Sequence, residues 1–404
     1  MQTNLNPNAS TPHHLQDAEE ILRSCVHCGF CNATCPTYQV LGDELDGPRG
    51  RIYLIKQMLE GEAVSEKTQT HLDRCLTCRN CETTCPSGVR YHDLLDIGRA
   101  EVDSRVARPW HQKLLRLALR KVIPNHVLFS GLLRTGQQLR PILPAFIAQK
   151  IPETPPINSE TPSGTHTRKA IMLEACVQRS LSPNTRYAAT RVLDRLGISA
   201  IKTNAGCCGA NDMHLGHPET AKQYARKNID LWWPMIEQGA YPIVHTASGC
   251  GAFIKEYDHL LQHDPDYAQK AKRISAVTED LVETIGREDL SRLHTDSKEK
   301  IAVQCPCTLQ HAQRLPNAMQ TILKTVGFQI SPVADSHLCC GSAGTYSITQ
   351  PQMARTLRDQ KMDALEQDQP DVIATANIGC QTHLNSAKRT PVKHWIEIVD
   401  AAIQ

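Results

Sequence analysis

The sequence predicts an α+β multidomain protein: a mainly helical N-terminal domain, then a duplicated α/β domain with parallel strands. Three observations predict it. Two cysteine runs of identical spacing stand at residues 25–36 and 75–86, with helix-patterned sequence around them. Beyond residue 168, three short motifs recur after about 130 residues: KAIMLEAC and KIAVQCPC, AGCCGA and LCCGSAG, IVHTASGC and VIATANIGC. Helical segments such as ETAKQYARKNIDLWWPMIEQ and QMARTLRDQKMDALEQ separate these strand candidates, and such alternation argues for parallel α/β units. A repeat this long is a duplicated domain half and not a solenoid unit.

Taken in order, residues 1–20 read as a polar arm running into a helix, since DAEEILRSC carries acidic residues in its first turn. The cysteine-bearing helical domain spans 21–103. Between its two runs, DGPRGRIYLIKQMLEGE and SEKTQTHLDRCL read as helices, with apolar residues at 52, 55, 58 and 59 and Pro48 suited to a helix start. Residues 104–168 form a basic helical segment and a linker. From Ser104 to Pro152 there is no Asp or Glu, while Arg105, Arg108, Lys113, Arg116, Arg120, Lys121, Arg134, Arg140 and Lys150 are basic. WHQKLLRLALRKVI reads as a helix with an apolar face and a basic opposite face, expected to dock on an anionic surface or to be solvated between domains. Pro, Ser and Thr mark the linker at 151–168. The two α/β halves follow at 169–298 and 299–404. Sites in parallel sheets lie at the carboxyl ends of strands, where these cysteines fall.

A chain of 404 residues is long enough for two or three domains with cores of their own. A formal net charge of +2 offers no global attraction to nucleic acid. The first twenty residues lack both a basic start and an apolar run, and no stretch approaches eighteen uninterrupted apolar residues. A cytoplasmic setting is therefore expected, with any membrane contact peripheral or through a partner on the cytoplasmic face. In that setting seventeen cysteines point to metal or redox chemistry and not to disulfides.

The runs CVHCGFCNATCP and CLTCRNCETTCP both follow C-x2-C-x2-C-x3-C-P, the spacing of bacterial two-cluster ferredoxins. Three thiolates two residues apart wrap one corner of a cubane, and the fourth, before a proline turn, reaches the neighbouring cube. The expected ligands are Cys25, Cys28, Cys31 and Cys85 for cluster 1, and Cys75, Cys78, Cys81 and Cys35 for cluster 2. Structural zinc is the competing reading, but zinc sites rarely supply two such runs. His27 is placed to hydrogen-bond a cluster sulfur or to face solvent, and Arg49 and Arg51 to meet cluster charge or to cap a helix.

In the α/β halves the cysteines are Cys176, Cys207, Cys208 and Cys250, then Cys305, Cys307, Cys339, Cys340 and Cys380. Adjacent cysteines before a glycine direct their thiols to different partners. The GCCGA and LCCGSAG motifs resemble the cysteine-rich CCG domains of heterodisulfide reductase. Together with CVHCGFCNATCPTYQVLGDELDGPRGRIYLIKQMLEG, HLDRCLTCRNCETTCPSGVRYHDLLDIGR, TASGCGAF and TANIGCQTH, they resemble glycolate oxidase iron-sulfur subunits from about residue 20 to the C terminus. The resemblance implies an electron-transfer subunit of a complex in which an FAD-bearing partner oxidises glycolate to glyoxylate and electrons pass towards a quinone or other membrane acceptor. No catalytic residue is expected in this chain, which lacks G-x-G-x-x-G, Ser-His-Asp and H-E-x-x-H constellations. The rival readings are a CCG-type reductase of a disulfide or small acceptor, and the equivalent subunit for another 2-hydroxyacid or for glycerol-3-phosphate.

One departure stands out. A full CCG motif ends in C-x-x-C, whereas here the halves end in Cys250-Gly-Ala-Phe253 and Cys380-Gln-Thr-His383. A third centre is expected at Cys307, Cys339, Cys340 and Cys380, with His383 as a nitrogen ligand and Cys305 in reserve. Cys176, Cys207, Cys208 and Cys250 form the weaker candidate, the alternative being buried thiols that pack the fold.

Overall fold

The computed structural model describes residues 1–144, 151–153, 156–162, 164–239 and 241–403. The N-terminal domain is helical, built chiefly from Pro12–Ser24, Pro48–Leu59, Glu66–Asp73 and Tyr91–Arg105. Its core joins Leu22, Ile55, Leu59, Leu72, Leu94 and Leu95, each essentially sealed from solvent. Pro48 opens its helix without losing a hydrogen bond, because the first amide of a helix has no partner within it. The short turns Phe30–Ala33 and Asn80–Thr84 carry Cys31 and Cys81.

Each α/β half contains a four-stranded parallel sheet. In the first, β1 (Arg168–Leu173), β2 (Ile198–Lys202), β3 (Ile243–His245) and β4 (Thr278–Asp280) lie in the order β2-β1-β3-β4. In the second, β5 (Lys300–Gln304), β6 (Gln329–Ser331), β7 (Val372–Thr375) and β8 (Val392–His394) lie in the order β6-β5-β7-β8. Ile171 pairs with Ile201 and Ile243, and Ile301 with Ile330 and Val372. The central strands β1 and β5 are apolar runs because helices cover both faces.

The halves exchange helices across their junction. Helix Asn184–Arg195 of the first packs on Trp395–Ile403 of the second, and Ala318–Val326 of the second packs on Leu281–Gly286 of the first. Val192, Leu193, Ile285, Ile322, Trp395 and Val399 consequently belong to one continuous core. Arg191 crosses the same junction to Asp400, and Ser182 to Glu397 at 2.9 Å.

The basic segment forms two helices, Trp110–Val122 and His126–Leu139, oriented opposite to the sequence expectation. Arg108 binds Asp73 and Asp103, Arg116 binds Asp73 at 3.0 Å, and Arg120 binds Asp212 at 2.7 Å. Trp110, Leu114, Leu117, Val127 and Ile142 face outward, Trp110 with 76% and Leu114 with 58% of its surface exposed. The local lack of acidic residues was misleading because the carboxylates come from outside the segment, Asp103 from its very edge and Asp73 and Asp212 from distant parts of the chain. Lys150 lies outside the described residues.

Candidate metal centres

Both N-terminal runs fold around cavities through backbone turns that few residue types favour. His27, Gly29, Thr77 and Arg79, the residues on either side of Cys28 and Cys78, all have positive φ, between 53° and 85°. Successive left-handed turns face amides inward and form the concavities that receive iron-sulfur clusters; Thr77 N–H points at Cys75 Sγ, 3.4 Å away. Helix Pro36–Leu41 begins directly after Cys35. The runs meet at Thr34 and Thr84, 3.1 Å apart, each one residue before a fourth cysteine.

Cys25, Cys28, Cys31 and Cys85 border one cavity of about 430 Å³, its open mouth included. Cys35, Cys75, Cys78 and Cys81 border a second of about 350 Å³, and Cys81 touches both. The donor sets suit iron-sulfur cubes, because burial raises the Cys25, Cys78 and Cys81 thiols and pushes Cys31 up to about 11. Packed thiolates of this kind need cationic iron to offset their repulsion. His27 supplies a second sign of fit: it borders the first cavity, and its buried Nε2 has no protein partner. Burial and Arg49 lower its pKa, so the ring is a neutral donor awaiting an acceptor.

Arg49 pairs with Glu44 at 2.6 Å. Arg51 is fully buried beside the second cavity and donates to His71 O at 2.7 Å and Thr37 Oγ1 at 3.1 Å. Asp46 balances it, with oxygens also 2.8 Å from Arg74 and 3.0 Å from His71. Burial opposes the Arg51 charge, but Tyr91, the nearby thiols and Asp46 raise its pKa, placing a permanent cation behind the second cavity.

In the second α/β half, Cys307, the Cys339-Cys340 pair and Cys380 leave the carboxyl ends of β5, β6 and β7 and converge. Cys339 lies 3.9 Å from Cys307, and Cys340 lies 3.3 Å from Cys380, so the adjacent cysteines do serve different partners. Gly341 makes the turn at φ +85°, and a Cβ there would meet Ala354 O at 2.6 Å. Thiol contacts and burial raise Cys307, while burial and the neighbouring thiols outweigh the donated bonds at Cys339 and Cys340. Buried Lys361 completes the group, donating to Asp335 O and Ser336 O at 3.1 and 2.9 Å. Sequence reasoning missed it, although its place four residues after Leu357 puts it on the apolar stripe of its helix. His383 turns its Nε2 to Ala354 O at 3.1 Å, and Cys305 lies in the shared core.

The first half repeats the arrangement. Cys207 contacts Cys176 and Cys208, and Cys208 contacts Cys250. Hydrogen bonds from the neighbouring thiols and from Gly209 N–H lower Cys207. Phe253 packs edge-on against Tyr257 at 5.9 Å.

The two kinds of site adjoin. Cys78 and Leu76 pack with Cys307, Cys339 and Tyr346 in one buried cluster. Tyr346 Oη donates to Arg74 O at 2.9 Å, and Asn80 Nδ2 to His337 O at 3.2 Å. Arg79, held left-handed at φ 61°, reaches the first half through Glu256.

Comparison with known proteins agrees with this architecture. Residues 21–89 match the 4Fe-4S dicluster domain family, and residues 170–255 and 301–385 match the cysteine-rich domain family. A solved hypothetical protein from Helicobacter pylori shares the fold at 10% identity and a TM-score of 0.55, covering 98% of this chain and 73% of its own. The Lactate utilization protein A of Bacillus subtilis is 26% identical, over 58% of this chain and 99% of its own. The probable glycolate oxidase iron-sulfur subunit of Bacillus subtilis is 30% identical, over 90% and 88% of the two chains. The glycolate oxidase iron-sulfur subunit of Escherichia coli K12 is 57% identical over 100% of both chains. With its dicluster domain, its paired cysteine-rich domains and this full-length identity, the chain belongs to the family of glycolate oxidase iron-sulfur subunits.

Proposed function

We propose that this chain carries electrons from an FAD-bearing partner that oxidises glycolate to glyoxylate towards a membrane quinone, or another acceptor, on the cytoplasmic face. The observation that carries the reading is the pair of adjoining cavities, each bordered by cysteines drawn from both runs, with Cys81 shared between them. Cys25, Cys28, Cys31 and Cys85 would hold one [4Fe-4S] cluster, and Cys75, Cys78, Cys81 and Cys35 the other. Such clusters supply one-electron transfer, and the protein sets their spacing and surroundings. Arg51 supplies fixed positive charge, and the left-handed loops supply inward amides. Cys28 is exposed, and Val26 and Phe30 beside it present apolar surface, which suits entry of electrons from a partner at the first site.

Cys307, Cys339, Cys340 and Cys380 would hold a third centre next to the second cluster, with Lys361 offsetting part of the thiolate charge. No described helix is long and apolar enough to cross a membrane, so membrane contact would be made by the exposed leucines of Trp110–Leu139 or by partner subunits.

The test uses the complex isolated anaerobically with its partners. Adding glycolate should bleach the iron-sulfur absorption as fully as dithionite does. Bleaching by dithionite but not by glycolate would overturn the reading, and L-lactate or glycerol-3-phosphate in parallel assays would reveal a different donor.

A further inference from the structure

A chamber of about 1600 Å³, including its open mouth, lies between the N-terminal domain and the first α/β half. Thr77, Arg79 and His92 border both this chamber and the second cysteine cavity, so a single layer of side chains separates them. Ile97, Met213, Phe253 and Leu260 supply apolar wall. Phe253, standing where the full CCG motif has its last cysteine, is therefore a wall residue of this space.

One polar group on the wall lacks the partner that buried groups normally have, and an exposed imidazole is unengaged as well. Asp96 Oδ1 is buried without a hydrogen bond. The imidazole of His214 makes no ion pair or hydrogen bond among the described residues. Most of the other charges are already matched. Arg79 is held by Glu256, and Asp93 lies 3.0 Å from His92, 3.5 Å from Arg90 and 3.6 Å from His259. A ligand gains little here from a net charge; it gains from an apolar body and a few hydrogen-bonding ends.

We propose that the chamber binds the headgroup of a neutral quinone, with His214 donating a hydrogen bond to one quinone oxygen and the Asp96 carboxylate accepting from the hydroxyl of the quinol that forms. The proposal deepens the electron-transfer reading above and rests on it. A quinone headgroup takes up two electrons and two protons to become the quinol. The electrons arrive one at a time across the Thr77–Arg79–His92 wall from the reduced clusters, and the protons come from solvent through the polar groups of the chamber. The apolar hairpin adjoins this site, since Arg120 donates to Thr220 Oγ1 at 3.2 Å, next to the wall residues Pro218 and Glu219. A quinone tail leaving the chamber would thus run towards the leucines expected to touch lipid.

The experiment uses the full chain with its clusters, in two measurements. The fluorescence of 2-heptyl-4-hydroxyquinoline N-oxide, a quinone-site probe, is titrated with the oxidised protein. Separately, protein reduced with limiting dithionite is reoxidised by decylubiquinone, followed by return of cluster absorption and normalised to its reoxidation by ferricyanide. His214→Leu and the chamber-filling Met213→Trp should each weaken probe binding by about tenfold and lower the normalised quinone rate by a similar factor. Wild-type iron content and reduced-state EPR qualify each variant as folded, and either variant alone suffices. Absence of probe binding to wild type, or unchanged binding and rate in a folded variant, would overturn the proposal. Dithionite replaces the partner, so a wrong assignment of the electron donor leaves this outcome unaffected.

Discussion

At the scale of single residues, the cysteines were legible because a metal-binding pattern is a spacing, and spacing survives in one dimension. The left-handed conformations of His27, Thr77 and Arg79 were not, since nothing marks a non-glycine residue for positive φ. Lys361 was partly legible, as a cation on an apolar stripe. The grouping of Cys85 with the first run's cavity and of Cys35 with the second's leads to a distinctive expectation. Cys35→Ser should alter the EPR signal of the cluster held by Cys75, Cys78 and Cys81, and Cys85→Ser that of the cluster held by Cys25, Cys28 and Cys31. Loss confined to the mutated run's own cluster would contradict the assignment. In the same preparations Cys340→Ala should remove about a third of the iron, from about twelve atoms per chain to about eight, whereas Cys208→Ala should have the smaller effect. Equal iron in Cys340→Ala and wild type would assign these thiols to packing.

Among elements, the strands were legible from apolar runs that stop near cysteines, as β5 stops before Cys305 and β7 five residues before Cys380. The Pro48 helix was legible from its proline and its apolar spacing. The orientation of Trp110–Val122 was not, because its inward arginines are held by Asp73 and Asp212, remote in sequence. A pH effect belongs to β8. His394 is fully buried, its Nε2–H donates to Thr246 O at 2.8 Å, and its Nδ1 accepts from Ile396 N–H at 3.3 Å. Only the neutral ring satisfies both bonds, and burial lowers its pKa to about 4. The unfolded chain titrates near 6.5, so between those values it binds more protons than the folded protein. The stabilisation is complete above pH 6.5 and is lost as pH falls towards 4, amounting to about 3 kcal/mol. His394→Gln, which retains an amide donor, should flatten this part of the pH–stability curve in denaturant titrations; an unchanged slope would exclude the effect.

For the whole molecule, the N-terminal domain is fastened to both α/β halves, by Arg79 to the first and by Asn80 and Tyr346 to the second. The outward leucines of the hairpin remain uncovered within the chain. Leu114→Glu with Leu117→Glu should release the isolated complex from phospholipid vesicles by about tenfold or more, each buried leucine contributing roughly 1.5–3 kcal/mol. Because Arg108, Arg116 and Arg120 are engaged internally, raising salt should release it far less than these substitutions do. Vesicle sedimentation reads both effects, and strong release by salt alone would restore the electrostatic docking expected from sequence.

The exchange of helices between the α/β halves has an ancestral implication. Asn184–Arg195 is covered by Trp395–Ile403, and Leu281–Gly286 by Ala318–Val326. A forebear encoding one such unit would have exposed Val192 and Leu193, or their counterparts, unless a second copy lent its terminal helix. Its smallest soluble form would then have been a twofold homodimer. Gene fusion would have turned that intermolecular contact into an intramolecular one, freeing each copy to diverge, so that Phe253 arose in one and His383 at the matching place in the other.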